Sequence, residues 1–280
     1  MTTQTFLTHK PTQNQSTRLL CIGGCSLLWL TSPFCSATET VTLSTGYHFI
    51  QGDYNRPSEA STYYLPVSIN WRHFPWQLKL TVPYIKVRAE NNLALAEVES
   101  TPSSTDAVAF DRSTDSGLGD VVSQLSYSYN WWVTDQKALY LDYSAKVKWA
   151  TAESGEGLGT GSNDYTIRIN AAQVWRQWQY FAHLGYQYRS QSDQIRVKNG
   201  VNGSIGLSYV LSPRRSAGLV FDLAQAQSES TQNSSEATLF ASWKLTSHWK
   251  ISAYTLFGFS SGSPDIGLGG QISYRFLRPA

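Results

Sequence analysis

The sequence of 280 residues predicts an all-β fold: a transmembrane antiparallel up-and-down β-barrel of about twelve strands, with both termini periplasmic. Three observations carry this expectation. Apolar and polar residues alternate in stretch after stretch. Short and long connections alternate along the chain, as tight periplasmic turns and external loops do in such barrels. No stretch after the leader is long and apolar enough for a membrane-crossing helix. The alternation is clearest at the end, where Ile266, Leu268, Gly270, Ile272, Tyr274 and Phe276 point one way and Gly267, Gly269, Gln271, Ser273 and Arg275 the other. One such face suits lipid and the other a watery lumen.

Residues 1–37 read as a cleaved signal peptide, which leaves 38–280 as the barrel. Lys10 and Arg18 precede an apolar run over 19–30, and Cys35-Ser36-Ala37 supplies small residues for cleavage. The run falls short of the roughly 20 residues that a spanning helix needs. Ile22-Gly23-Gly24-Cys25 loosely resembles a lipidation box, but too little apolar sequence precedes Cys25. The three cysteines, Cys21, Cys25 and Cys35, all fall in the leader, so the mature chain has no disulfide framework and no cysteine metal site. Removing Lys10 and Arg18 takes the basic count from 22 to 20, against 20 acidic residues, and nucleic-acid binding loses its electrostatic support.

Read by period two, the strands fall in order at 41–50, 62–72, 77–88, 119–131, 138–150, 164–175, 179–189, 200–211, 217–225, 236–246, 249–259 and 265–276. An even number puts both termini on one side. The short connections are 73–76, 132–137, 176–178, 212–216 and 247–248, with turn chemistry such as Ser212-Pro213-Arg214-Arg215. The long set is 51–61, 89–118, 151–163, 190–199, 226–235 and 260–264, and of these 89–118 is a long external loop rich in Ser, Thr, Ala, Asp and Glu. Tryptophan provides an independent check, because its ring favours the membrane interface. Trp71, Trp76, Trp131, Trp132, Trp175, Trp178, Trp243 and Trp249 lie at or near the short turns, and Trp149 near the other end. A soluble sandwich with aromatic core residues predicts no such preference.

Extended inward, the alternation sends Asn70 and Arg72, Lys79 and Thr81, Asp120 and Gln124, and Asp142, Lys146 and Lys148 into the lumen. Arg168 and Asn170, His183, Asp222, Lys244 and Arg275 follow from later strands. Such charges either pair with one another as structure or select solutes. Arg168, Lys146 and Lys148 lie on adjacent strands and form a candidate positive ladder for carboxylates. About twelve strands enclose a narrower lumen than the roughly 16 to 18 of wide porins, which suits slow or specific passage better than a general sieve.

A lipid or peptide hydrolase of this architecture needs a nucleophile beside a histidine and an orienting group at the external rim. His73 and His248 fall at short turns and His183 faces inward in mid-strand. His48 alone is well placed, near Ser261, Ser263 and Asp265, but its surroundings match no hydrolase motif. Residues 111–115, Asp-Arg-Ser-Thr-Asp, lack the glycine and distal glutamate of a calcium loop. The residues therefore give no catalytic site, metal site or cofactor.

Ser116-Gly117-Leu118-Gly119-Asp120 enters the fourth candidate strand, and Gly157-Leu158-Gly159-Thr160-Gly161-Ser162-Asn163-Asp164-Tyr165 enters the sixth. With the closing stretch from Gly267 to Phe276, they resemble the outer-membrane barrels named for the meta-pathway of phenol degradation, often called simply transporters. The resemblance implies passive uptake of small organic solutes, aromatic or acidic ones among them, and it brings no catalytic motif. Physically, the glycines suit a bend or bulge at a barrel rim, and Asp120 and Asp164 are placed to cap it. The expected surroundings are outer-membrane lipid and lipopolysaccharide, the barrel assembly machinery and a small-molecule solute. A barrel with a structural or surface-interaction role and no transport fits the same alternation.

Overall fold

A computed structural model describes residues 39–54, 59–89, 94–98, 105–108, 114–133, 137–152, 158–190, 197–228 and 231–277; the expected leader, 1–37, lies outside them. The strands are β1 (Thr40–Gly52), β2 (Ala60–His73), β3 (Trp76–Ala89), β4 (Ala94–Val98), β5 (Thr105–Val108), β6 (Thr114–Leu118), β7 (Val121–Val133) and β8 (Lys137–Trp149). They continue as β9 (Asp164–Trp175), β10 (Trp178–Arg189), β11 (Gly200–Ser212), β12 (Arg215–Ala224), β13 (Ser234–Lys244), β14 (Trp249–Gly258) and β15 (Ile266–Leu277). Neighbours pair antiparallel in the order β1, β2, β3, β7 through β15, and β15 pairs back on β1, from Thr40 opposite Leu277 to Gln51 opposite Ile266. The result is a closed barrel of twelve strands with no sheet edge left open along its wall.

The two faces of this wall are inverted relative to a soluble protein. Ile167, Ile205 and Leu223 turn outward and are 64%, 65% and 63% exposed, whereas Lys148, Asp222 and Glu236 turn inward and are 2%, 4% and 1% exposed. An outer band of bare aliphatic side chains is stable only where acyl chains cover it, so the barrel spans a membrane. Aromatic pairs gather at the rim that carries both termini: Trp76 against Tyr127 with ring centroids 5.0 Å apart, Trp178 against Tyr209 at 4.8 Å, and Trp249 against Tyr274 at 4.8 Å. Trp71 donates its indole N–H to Glu39 there, at 2.6 Å. Trp149 stands at the opposite rim and donates to Ser123 Oγ at 2.9 Å.

The fourth barrel strand differs from its expected form, and with it the loop at 89–118. Upstream of β7, β6 continues along the upper part of β3, and β4 and β5 pair as a separate two-stranded sheet within the expected loop. Leu118 lies opposite Tyr84 and Val122 opposite Thr81, so five residues on one strand face four on the other. The extra residue makes a β-bulge at Gly119-Asp120, with Gly119 N donating to Pro83 O at 3.0 Å. Segment 114–118 is short and mostly polar, so period two carries little signal across it.

Candidate functional site

Hydrogen-bonded rows run obliquely across the inner wall, and each row has its own chemistry. One begins at Ser208 and passes Gly218, Phe240, Tyr254, Gly269, His48 and Tyr64 to Ile85, every neighbour directly opposite the next. The rings in it lie close to the wall because glycines leave room. A Cβ on Gly218 would come within 2.5 Å of the Phe240 ring, and one on Gly269 within 2.3 Å of Tyr254. His48 stacks on Tyr254 with centroids 5.5 Å apart and planes at 25°, and its Nδ1 shares a 2.7 Å hydrogen bond with the tyrosine hydroxyl. On its other side the His48 ring lies 5.7 Å from that of Tyr64. The row beside it carries Phe181, Val220, Leu256 and Ile50, so the two together form an apolar and aromatic band.

The expected lumen residues lie in the remaining rows. Asp142, Asn170, His183, Ser204, Asp222 and Glu236 stand opposite one another in sequence, an acidic row in which Ser204 Oγ and His183 Nδ1 are 2.5 Å apart. The next row contains Arg72 and Arg168, and Arg72 donates twice to Gln77 Oε1, at 2.7 and 3.2 Å. Beyond it, Arg275, Thr42, Asn70, Lys79, Gln124 and Lys146 are in line. Lys244 and Lys250 begin the following row, which ends on Lys148, Asp164 and Arg189. Lys146 on β8 and Tyr254 on β14 are six strand steps apart in either direction, so these two stand on opposite sides of the lumen.

Lys148 does not join Lys146 and Arg168 in an open cationic ladder. Its Nζ lies 2.6 Å from Asp164 Oδ2 and 3.7 Å from Asp120 Oδ2, and it donates to Thr160 Oγ1 at 2.7 Å. Asp120 Oδ1 accepts from the backbone N–H groups of Thr151 and Ala152 at 3.0 and 2.9 Å, and Asp164 Oδ1 from Ser190 N at 3.2 Å. Both carboxylates thus cap bends, as their positions suggest, and together they neutralise the lysine. The first two of the three glycine-rich stretches meet here. A Cβ on Gly159 would stand 2.7 Å from both Asp120 carboxylate oxygens, and Gly161 has φ of 69°, a conformation that glycine adopts without strain.

Glu236, Lys250, Arg189 and Asp164 line the lumen without having been singled out for it by the sequence. The first three lie in phase with expected lumen residues or with the inward side of their strands, and the same alternation carried one step further would have found them. His48, Ser263 and Asp265 do not assemble as nucleophile, base and orienter. His48 is bonded to Tyr254, Ser263 Oγ donates to Ser235 O at 3.0 Å and is itself 2% exposed, and Asp265 accepts from Asp53 N at 3.3 Å.

An outer-membrane channel of Pseudomonas putida F1 superposes with a TM-score of 0.64 at 11% identity, covering 88% of this chain and 100% of that one. The KdgM porin gives a TM-score of 0.49 at 10% identity, over 84% of this chain and 99% of that one. No curated protein matches the chain in sequence. The P. putida similarity bears on the fold, a closed barrel of the outer-membrane type. A family model described as "Putative MetA-pathway of phenol degradation" matches residues 41–276, from the second residue of β1 to the last but one of β15, and the chain belongs to that family.

Proposed function

We propose that the protein is a passive channel for small organic solutes, aromatic or acidic ones among them, across the outer membrane, with its termini on the periplasmic side. One observation carries the reading: the lumen wall holds an aromatic band, from Phe240 to Tyr64, and Lys146 and Arg168 stand on strands that face Tyr254 of that band. A solute with a flat apolar body and an anionic group finds a partner for each on opposite sides of one passage. The tryptophans at the terminal rim and the longer connections at the other support the orientation. Phospholipid and lipopolysaccharide surround the apolar band, and the barrel assembly machinery inserts the chain once its leader is removed. The separate engagements of His48 and Ser263 favour a role without catalysis.

The test is the ion current through the refolded protein in a planar bilayer, with benzoate as the added solute. Discrete openings that benzoate reduces are expected. Replacing Lys146 and Arg168 together by Gln lowers the anion-over-cation permeability ratio, and an unchanged ratio removes the basic rows from selectivity. A tight seal under every condition favours the structural or surface-interaction reading, to which Leu158, turned in at the far mouth, lends its support.

A further inference from the structure

At the mouth away from the termini, residues 158–163 before β9 turn in over the lumen wall. Leu158 among these is 2% exposed and packs in a cluster with Ile50, Tyr64 and Ile85, which face inward from β1, β2 and β3. Tyr54, Ala60 and Val87 complete the cluster, and Ala152 packs against it. Leu158 therefore stands beyond β7, against β3, β2 and β1. The segment is held there by Lys148, whose Nζ binds its Thr160 Oγ1 at 2.7 Å and Asp164 Oδ2 at 2.6 Å at its base. Gly159 passes so near Asp120 that a side chain would displace the carboxylate.

The seat that Leu158 fills in the lumen mouth is lined by Ile50, Tyr64 and Ile85, and such a lining suits an apolar group. Tyr64 belongs both to this pocket and to the aromatic row that continues through His48 and Tyr254. A group that occupies the pocket is thus already at the head of the aromatic band. We propose that the pocket is a docking site for an uncharged apolar group of the solute, one aliphatic cluster or aromatic ring in size, and that Leu158 fills it when solute is absent. The chain's own leucine acts as a competing ligand, and solute binds by displacing it. This proposal rests on the channel reading above.

Ion current through the full barrel, with toluene as the probe, tests it. Removing the competitor in Leu158→Ala lowers the toluene concentration for half-block by about tenfold, the share of binding that a buried leucine side chain commands. Leu158→Met, which still fills the pocket, behaves as the parent. Ile85→Gln, with Leu158 retained, places an amide in the pocket and raises the half-block concentration. Heat-modifiable migration in gels identifies the variants that fold. Equal half-block in the parent, in Leu158→Ala and in Ile85→Gln, or no block in any of them while current flows, overturns the docking site and leaves the channel reading intact. No current in any folded variant overturns both.

Discussion

Lys148 carries its charge beside Asp120 and Asp164 where almost no water reaches, and each member of the trio depends on the others. Removing the cation leaves two buried carboxylates unneutralised, at a cost of about 3–5 kcal/mol. Lys148→Met accordingly lowers the temperature at which the barrel loses its heat-modifiable form, and adding Asp164→Asn restores part of the loss. Additive effects of the two substitutions would mean that the pair is not coupled. The glycines under the aromatic row make an equally local demand. In Gly269→Ala the new Cβ meets the Tyr254 ring at about the 2.3 Å found for an ideal Cβ, so the ring leaves the wall and its stack on His48. Overpacking of this kind costs about 1–3 kcal/mol. A narrower lumen and a lower conductance go with the lower stability.

Among the elements, the junction of β6 and β7 is the most exacting. The bulge at Gly119-Asp120 lets 114–118 follow β3 while Asp120 turns in to meet Lys148. Deleting Gly119 removes the slip and turns 114–118 over, so that Leu118, 63% exposed on the outer face, points into the lumen. The expected outcome is a barrel cut by added protease within 89–118 faster than the parent, and an unchanged cleavage rate would show the bulge to be dispensable. The twelve barrel strands were legible because a half-lipid, half-water strand writes its faces into alternate residues, as 266–276 does throughout. β4, β5 and β6 were not, since four or five residues are too few to display such a contrast. Inward direction was legible for every expected lumen residue from Arg72 to Arg275, but partnership was not. A slip of two residues between strands keeps every face and changes every neighbour, so alternation could not tell that Lys148 stands opposite Asp164 rather than in line with Arg168. Thr160 was beyond reach for a further reason: it meets Lys148 from outside the strands, where alternation says nothing.

At the scale of the whole molecule the wall is asymmetric from rim to rim. Trp71, Trp76, Trp175, Trp178, Trp243 and Trp249 belong to strand ends at the terminal rim, and Trp149 to the other. Tryptophan emission in bilayers of brominated lipid is therefore quenched more by bromine near the headgroups than at the chain ends, and the reverse order would place these rings in mid-membrane and refute the belt. The closure of the barrel has a consequence in time as well as in space. Thr40 and Leu277 are partners across the seam although 237 positions separate them (277 − 40). The strand synthesised first must wait, unpaired on one side, for the strand synthesised last. Every shorter length of the chain is a sheet with two sticky borders, and sealing is an all-or-nothing event reserved for the finished polypeptide.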